Sequence, residues 1–109
     1  MSQQFNADCE LMQLLDQAEC QALVAEYARE MPERIGRLQQ AIGSKDLSSL
    51  RRLAHQLKGS APLYGFPQLA ARAAELESLV RDMASEAELA CATDAVIALC
   101  CQVQSQFDE

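Results

Sequence analysis

Apolar residues along this chain recur at steps of three and four, the spacing that lines one face of an α-helix. In the first segment, from about Asp8 to Asp16, Leu11, Leu14 and Leu15 follow a capping Asp8 and predict a short amphipathic helix, too short to stand alone. A second stripe, Leu23, Val24, Tyr27, Met31, Ile35, Leu38 and Ile42, predicts a helix from about Glu19 to Ile42, ended by Gly43. Pro32 lies inside it, lacks an N–H and crowds the preceding turn, so a kink is expected near Ala28 to Met31. Asp46 caps a third helix, to Pro62 or Leu63, whose apolar positions are Leu47, Leu50, Leu53, Ala54, Leu57 and Ala61. Gly65 breaks the chain, and Pro67 opens a fourth helix to about Met83 on Phe66, Leu69, Ala73, Leu76, Val80 and Met83. Ser85 with Glu88 three residues on is a capping box, and the fifth helix that it opens carries Leu89, Val96, Leu99, Val103 and Phe107.

Each long helix leaves an apolar stripe that needs partners, and short connections bring neighbouring helices together. The expected fold is therefore all-α, an antiparallel up-down-up-down four-helix bundle over about residues 19–107. The short helix over about residues 8–16 is expected to act as a lid. A length of 109 residues suits one domain, residues 1–109, and not two. Aromatic residues make up only 5% of the chain, with no Trp, which agrees with a composition of helix formers.

Charge narrows the partners. Nine Lys and Arg stand against sixteen Asp and Glu, a net −7 that gives little attraction for phosphate backbones or anionic lipid. Nucleic acid and membrane are not expected as partners, and Met1 to Glu10 carry no basic stretch followed by an apolar one. Five cysteines, Cys9, Cys20, Cys91, Cys100 and Cys101, are an odd number without a C-x-x-C pair, which suits neither a disulfide framework nor a zinc site. A reducing cytoplasm and no metal are the expectation. Cys100 and Cys101 cannot both face the core. Met12, Met31 and Met83 read as gap fillers.

The single histidine, His55, falls in the middle of the third helix. Counting from Leu47 at roughly 100° per residue, the later apolar positions lie between roughly 240° and 340°, and His55 lies near roughly 80°, so it should face water. Ser48, Arg52 and Gly59 surround it by the same count, and Lys58 flanks it. An exposed imidazole is largely neutral near pH 7 and keeps a lone pair on one ring nitrogen, which leaves nucleophilic and acid–base roles both open. Gly59 costs a helix roughly 1 kcal/mol relative to Ala, and the gap it leaves admits another macromolecule close to the ring. Residues 29–58 hold Arg29, Arg34, Arg37, Lys45, Arg51, Arg52 and Lys58 against Glu30, Glu33 and Asp46, a net +4 in an acidic chain. This points to an acidic or phosphorylated partner. Glu77, at the edge of the fourth helix's stripe, can reach a neighbouring helix and accept the N–H of one His55 nitrogen, leaving the other as nucleophile. Taken singly, Lys58 and Arg52 read as solvated helix charges and Glu77 as a boundary carboxylate.

The run Ala54-His55-Gln56-Leu57-Lys58-Gly59-Ser60-Ala61, followed by Gly65, strongly resembles the histidine phosphotransfer (HPt) signature A-H-x-L-K-G-S-A-x-x-x-G. The similarity extends over roughly residues 20 to 105, including Met31-Pro32-Glu33-Arg34 and Leu76-Glu77. The resemblance implies a phosphorelay intermediate in which His55 takes a phosphoryl group from a receiver-domain phospho-aspartate and passes it to another receiver aspartate. It implies that Lys58 stabilises phosphoryl charge, Gly59 lets the receiver approach and Glu77 orients the imidazole. With Gly59, the side chains of Ser48, Arg51, Arg52 and Gln56 are expected to contact the receiver. The implied partners are response regulator receiver domains and a hybrid sensor histidine kinase, with Mg²⁺ held by the receiver, no cofactor of the chain's own and a monomeric state. Two departures from the pattern stand out: Glu77 where glutamine is common, and Pro62, which should distort the last turn of its helix. No glycine-rich nucleotide loop or Mg-binding carboxylate set is present, so kinase activity is not expected. The alternative is an HPt-like adaptor that binds a receiver or kinase domain without accepting phosphate. A fragment of a hybrid kinase is less expected, given Met1 and the helix that follows it.

Overall fold

Pro32 decides the first architectural feature. In an unbroken helix its nitrogen would donate to the carbonyl of Ala28, and proline has no proton to give. The computed structural model, which describes residues 16–107, therefore contains two helices where the apolar stripe predicts one. α1 spans Gln17–Arg29 and α2 spans Met31–Gly43, with Pro32 in the first turn of α2, where a missing N–H costs nothing. The expected kink is in the right place, but it is a break at Glu30. α1 begins before the expected Glu19 because Asp16 is its cap: the Asp16 side chain accepts from the Glu19 N–H at 2.8 Å, and Glu19 accepts from the Asp16 N–H at 3.1 Å. Asp16 thus belongs to α1, and the rest of the expected lid helix lies outside the described residues.

α3 spans Leu47–Ser60, and Asp46 caps it by accepting from the Ser49 N–H and hydroxyl. The α-helix stops short of the expected Pro62 because Pro62 cannot donate to the Lys58 carbonyl. The chain tightens instead into a 3₁₀ turn, Ala61–Tyr64, closed by Gly65 at φ 87°. α4 spans Pro67–Arg81, and α5 spans Glu86–Ser105 behind the Ser85–Glu88 capping box. All the regular elements among the described residues are helical.

α3 packs most extensively on α4, both α2 and α4 pack on α5, and α2 packs on α3, so α2 to α5 form a closed ring. α1 adds contacts to α5, α2 and the 3₁₀ turn. The interior is filled by Met31, Leu38, Leu50, Leu57, Leu69, Leu76, Val96 and Cys100, all essentially inaccessible to solvent. Thr93 is also buried, and its hydroxyl donates to the Leu89 carbonyl at 2.7 Å. Beside the core Tyr27 stacks on Tyr64 with centroids 4.3 Å apart, and its hydroxyl lies 2.6 Å from Ser60 Oγ. The Arg34 guanidinium covers the Tyr27 ring at 5.3 Å.

Three expected core positions are corrected. Leu47 is 39% exposed, because it lies roughly 60° from the centre of its stripe and in the first turn of α3. Met83, expected in the core as a gap filler, is 84% exposed at φ 59°, since α4 has already ended and the chain is turning. Phe107, beyond the end of α5, is the third exposed position. Of the vicinal cysteines, Cys100 is buried, which raises its thiol pKa to about 12, and Cys101 is exposed. No helix among the described residues is long and apolar enough to cross a membrane.

Candidate functional site

α3 presents His55 to solvent because Leu53, Ala54 and Leu57 turn the opposite face inward. α4 brings Glu77 beneath it, next to the buried Leu76. The His55 side chain is 66% exposed and that of Glu77 only 12%. The Nδ1–H of His55 donates to Glu77 Oε2 at 2.8 Å, the direction required by a carboxylate that can only accept. This fixes the proton on Nδ1 and leaves the Nε2 lone pair free.

The second oxygen of the same carboxylate is also used. Lys58 Nζ, from α3, donates to Glu77 Oε1 at 2.8 Å. One buried carboxylate thus holds both the imidazole and the ammonium. The Lys58 hydrogen bond, and after it that of His55, keeps the Glu77 carboxyl below the usual glutamate range, although burial acts in the opposite direction. Glu75, two residues earlier, is exposed and paired with Arg72 at 2.9 Å.

The other expected site residues divide between two sides of α3. Ser48, Arg51, Arg52 and His55 line one concavity with Glu77, Val80 and Arg81 of α4, and Leu47 forms its far end. Gln56 lies apart from this concavity. It faces α2, in grooves shared with Arg37, Ser49 and Arg52 and with Glu30, Arg34 and Ser60. Gly59 is exposed, and a Cβ built there would meet nothing within 4 Å. Its own fold does not require a glycine at this position.

Leu47, Val80 and Arg81 were not among the expected site residues. Arg81 had a legible signal, since it follows Glu77 by four residues and so shares its helical face. Leu47 and Val80 read as core leucine and valine, and only the relative placement of α3 and α4 puts them beside the imidazole. The Tyr27–Ser60 hydroxyl pair had no signal, because its members are separated by 33 residues.

Comparison with known proteins adds one finding: the family model described as Hpt domain matches residues 22–108. No curated protein and no solved structure matches the chain.

Proposed function

The chain belongs to the Hpt-domain family, whose members are phosphotransfer carriers in phosphorelays, and on that premise we propose that His55 is the residue that carries the phosphoryl group. The observation that carries this reading is the exposed imidazole whose Nδ1–H is held by a buried carboxylate at 2.8 Å. The Nε2 lone pair attacks the phosphorus of a receiver's aspartyl phosphate, and the P–O bond breaks with its electron pair going to the departing carboxylate. The proton on Nδ1 does not move. The N-phosphoimidazolium that forms is therefore paired with the negative charge of Glu77. Return transfer to a second receiver aspartate breaks the Nε2–P bond and restores the neutral ring.

In this reading Glu77 orients the ring, and Gly59 leaves the space through which a receiver's backbone approaches. Ser48, Arg51, Arg52 and Leu47 contact the receiver, and Gln56 contacts it from the α2 side. Mg²⁺ resides in the receiver's acidic pocket, which the positive region around His55 complements. The protein acts as a cytoplasmic monomer between a hybrid sensor histidine kinase and a response regulator. The helices α2 to α5 run up-down-up-down. This is supported by Leu47 and Ser48 at the start of α3 facing Val80 and Arg81 at the end of α4, and by Lys45, after α2, pairing with Glu86 at the start of α5 at 3.1 Å.

Incubation with a phosphorylated receiver domain and Mg²⁺ tests the proposal. An acid-labile, alkali-stable label is expected on the wild type and absent from His55→Gln. Receiver binding that survives His55→Ala, with no label on the wild type, would overturn it in favour of an adaptor.

A further inference from the structure

Four cations stand around His55, and the structure pairs two of them elsewhere. Lys58 donates to Glu77 at 2.8 Å. Arg81 donates from Nη2 to Ser78 Oγ at 2.9 Å, and its Nε lies 3.6 Å from Asp82 Oδ1. Arg52 makes no side-chain hydrogen bond or ion pair among the described residues, but it also lines the groove toward α2 beside Asp46, whose carboxyl is held low by Ser49 and, more weakly, by Arg52. The Arg51 side chain likewise has no hydrogen-bond or ion-pair partner among the described residues, and it is exposed.

Position makes this free guanidinium significant. Arg51 precedes His55 by four residues, so the two share one face of α3 on adjacent turns. Side chains on a helix lean toward its N-terminus, so the imidazole leans over the turn that carries Arg51. Both residues line the same concavity.

A phosphoryl group on Nε2 adds up to about two negative charges beside this concavity. Lys58 already holds Glu77 through one of its N–H donors, so centring its ammonium on the phosphoryl group would draw it off a carboxylate whose side chain is only 12% exposed. A buried charge that loses its partner is costly. Arg51 can turn toward the phosphoryl group without breaking any contact, and its planar fork suits two phosphoryl oxygens.

We propose that Arg51 binds the phosphoryl group carried on His55 Nε2, while Lys58 remains on Glu77. The inference rests on the phosphotransfer reading above and assigns the phosphoryl-binding cation within it. It exchanges roles between Lys58, for which the family resemblance implies contact with the phosphoryl group, and an arginine one turn earlier.

Phosphoramidate, a small-molecule donor, tests this without any receiver surface. The Nε2 lone pair attacks its phosphorus, the P–N bond breaks, and the donor's ammonium nitrogen leaves as ammonia. The loaded protein is then titrated across neutrality by ³¹P NMR. A bound cation favours the dianion, so Arg51→Gln is expected to raise the midpoint of the last phosphoryl protonation by about half a pH unit. Arg51→Lys should keep most of the wild-type value, and Arg52→Gln should give a smaller shift than Arg51→Gln. An unchanged midpoint in Arg51→Gln overturns the assignment, as do equal shifts in Arg51→Gln and Arg52→Gln, which would indicate a diffuse field. A wild-type protein that neither phosphoramidate nor a phosphorylated receiver can load overturns the phosphotransfer reading itself, a result distinct from an unaltered titration.

Discussion

The imidazole of His55 stands two-thirds in solvent, while the Glu77 carboxylate that accepts its Nδ1–H at 2.8 Å is almost wholly covered by the bundle. The pair joins α3 to α4 and gives the ring a fixed tautomer without hiding its second nitrogen. Because Lys58 binds the same carboxylate, a change at Glu77 acts on two residues at once.

Glu77→Gln keeps an acceptor for the Nδ1–H and loses the charge that holds Lys58, so transfer from a phosphorylated receiver should fall by less than about tenfold. Glu77→Leu removes both and should lower the transfer rate by about 100-fold. The two variants should also differ from wild type in acid. The folded-state pKa of Glu77 is depressed, so its contribution to stability is present above the unfolded value and is lost as pH falls through the folded value. Urea unfolding across the acid range should show a shallower loss of stability in Glu77→Gln, and an identical acid slope would contradict the pairing.

Gly59→Ala separates folding from docking. The added Cβ meets nothing within 4 Å, and alanine is the better helix former, so the variant should be more stable by about 0.5–1 kcal/mol in urea unfolding. Transfer between receivers should nevertheless slow, and Gly59→Phe should slow it further. Rates at the wild-type level in both variants would show that the open space beside His55 is not used.

The Tyr27 hydroxyl and Ser60 Oγ, 2.6 Å apart, tie α1 to the end of α3. Tyr27→Phe and Ser60→Ala should each cost about 1 kcal/mol, and the double variant should cost little more than either alone. Fully additive losses in a double-mutant cycle would mean that the contact contributes nothing.

Met83 adopts φ 59° with its side chain 84% exposed, so its conformation is strained and no packing compensates. Met83→Gly should raise stability by about 0.5–1 kcal/mol, read as a higher urea midpoint with an unchanged slope. Lys45→Gly, at φ 58°, should gain less, because Lys45 also pairs with Glu86 at 3.1 Å.

The sequence by itself determined the helices, their caps and the outward direction of His55, since each follows from interactions within a few turns of one helix. Asp46, Ser85 and Gly65 end or begin elements through hydrogen bonds and backbone angles that neighbouring residues supply. A helical face is fixed by counting, and the chain from Leu50 to Ala61 left His55 no place in the core. Where the reading went astray, local rules competed with position in the bundle. Pro32 split one stripe into two helices, and Leu47 and Met83 lie where a helix has only just begun or has already ended, so their apolar side chains found no neighbour. Only the tertiary structure decided that a single buried carboxylate serves both His55 and Lys58, and that Arg51 is left unpaired beside the ring. Those contacts depend on the distance and rotation between α3 and α4, which the packing of their large side chains sets and no local pattern encodes.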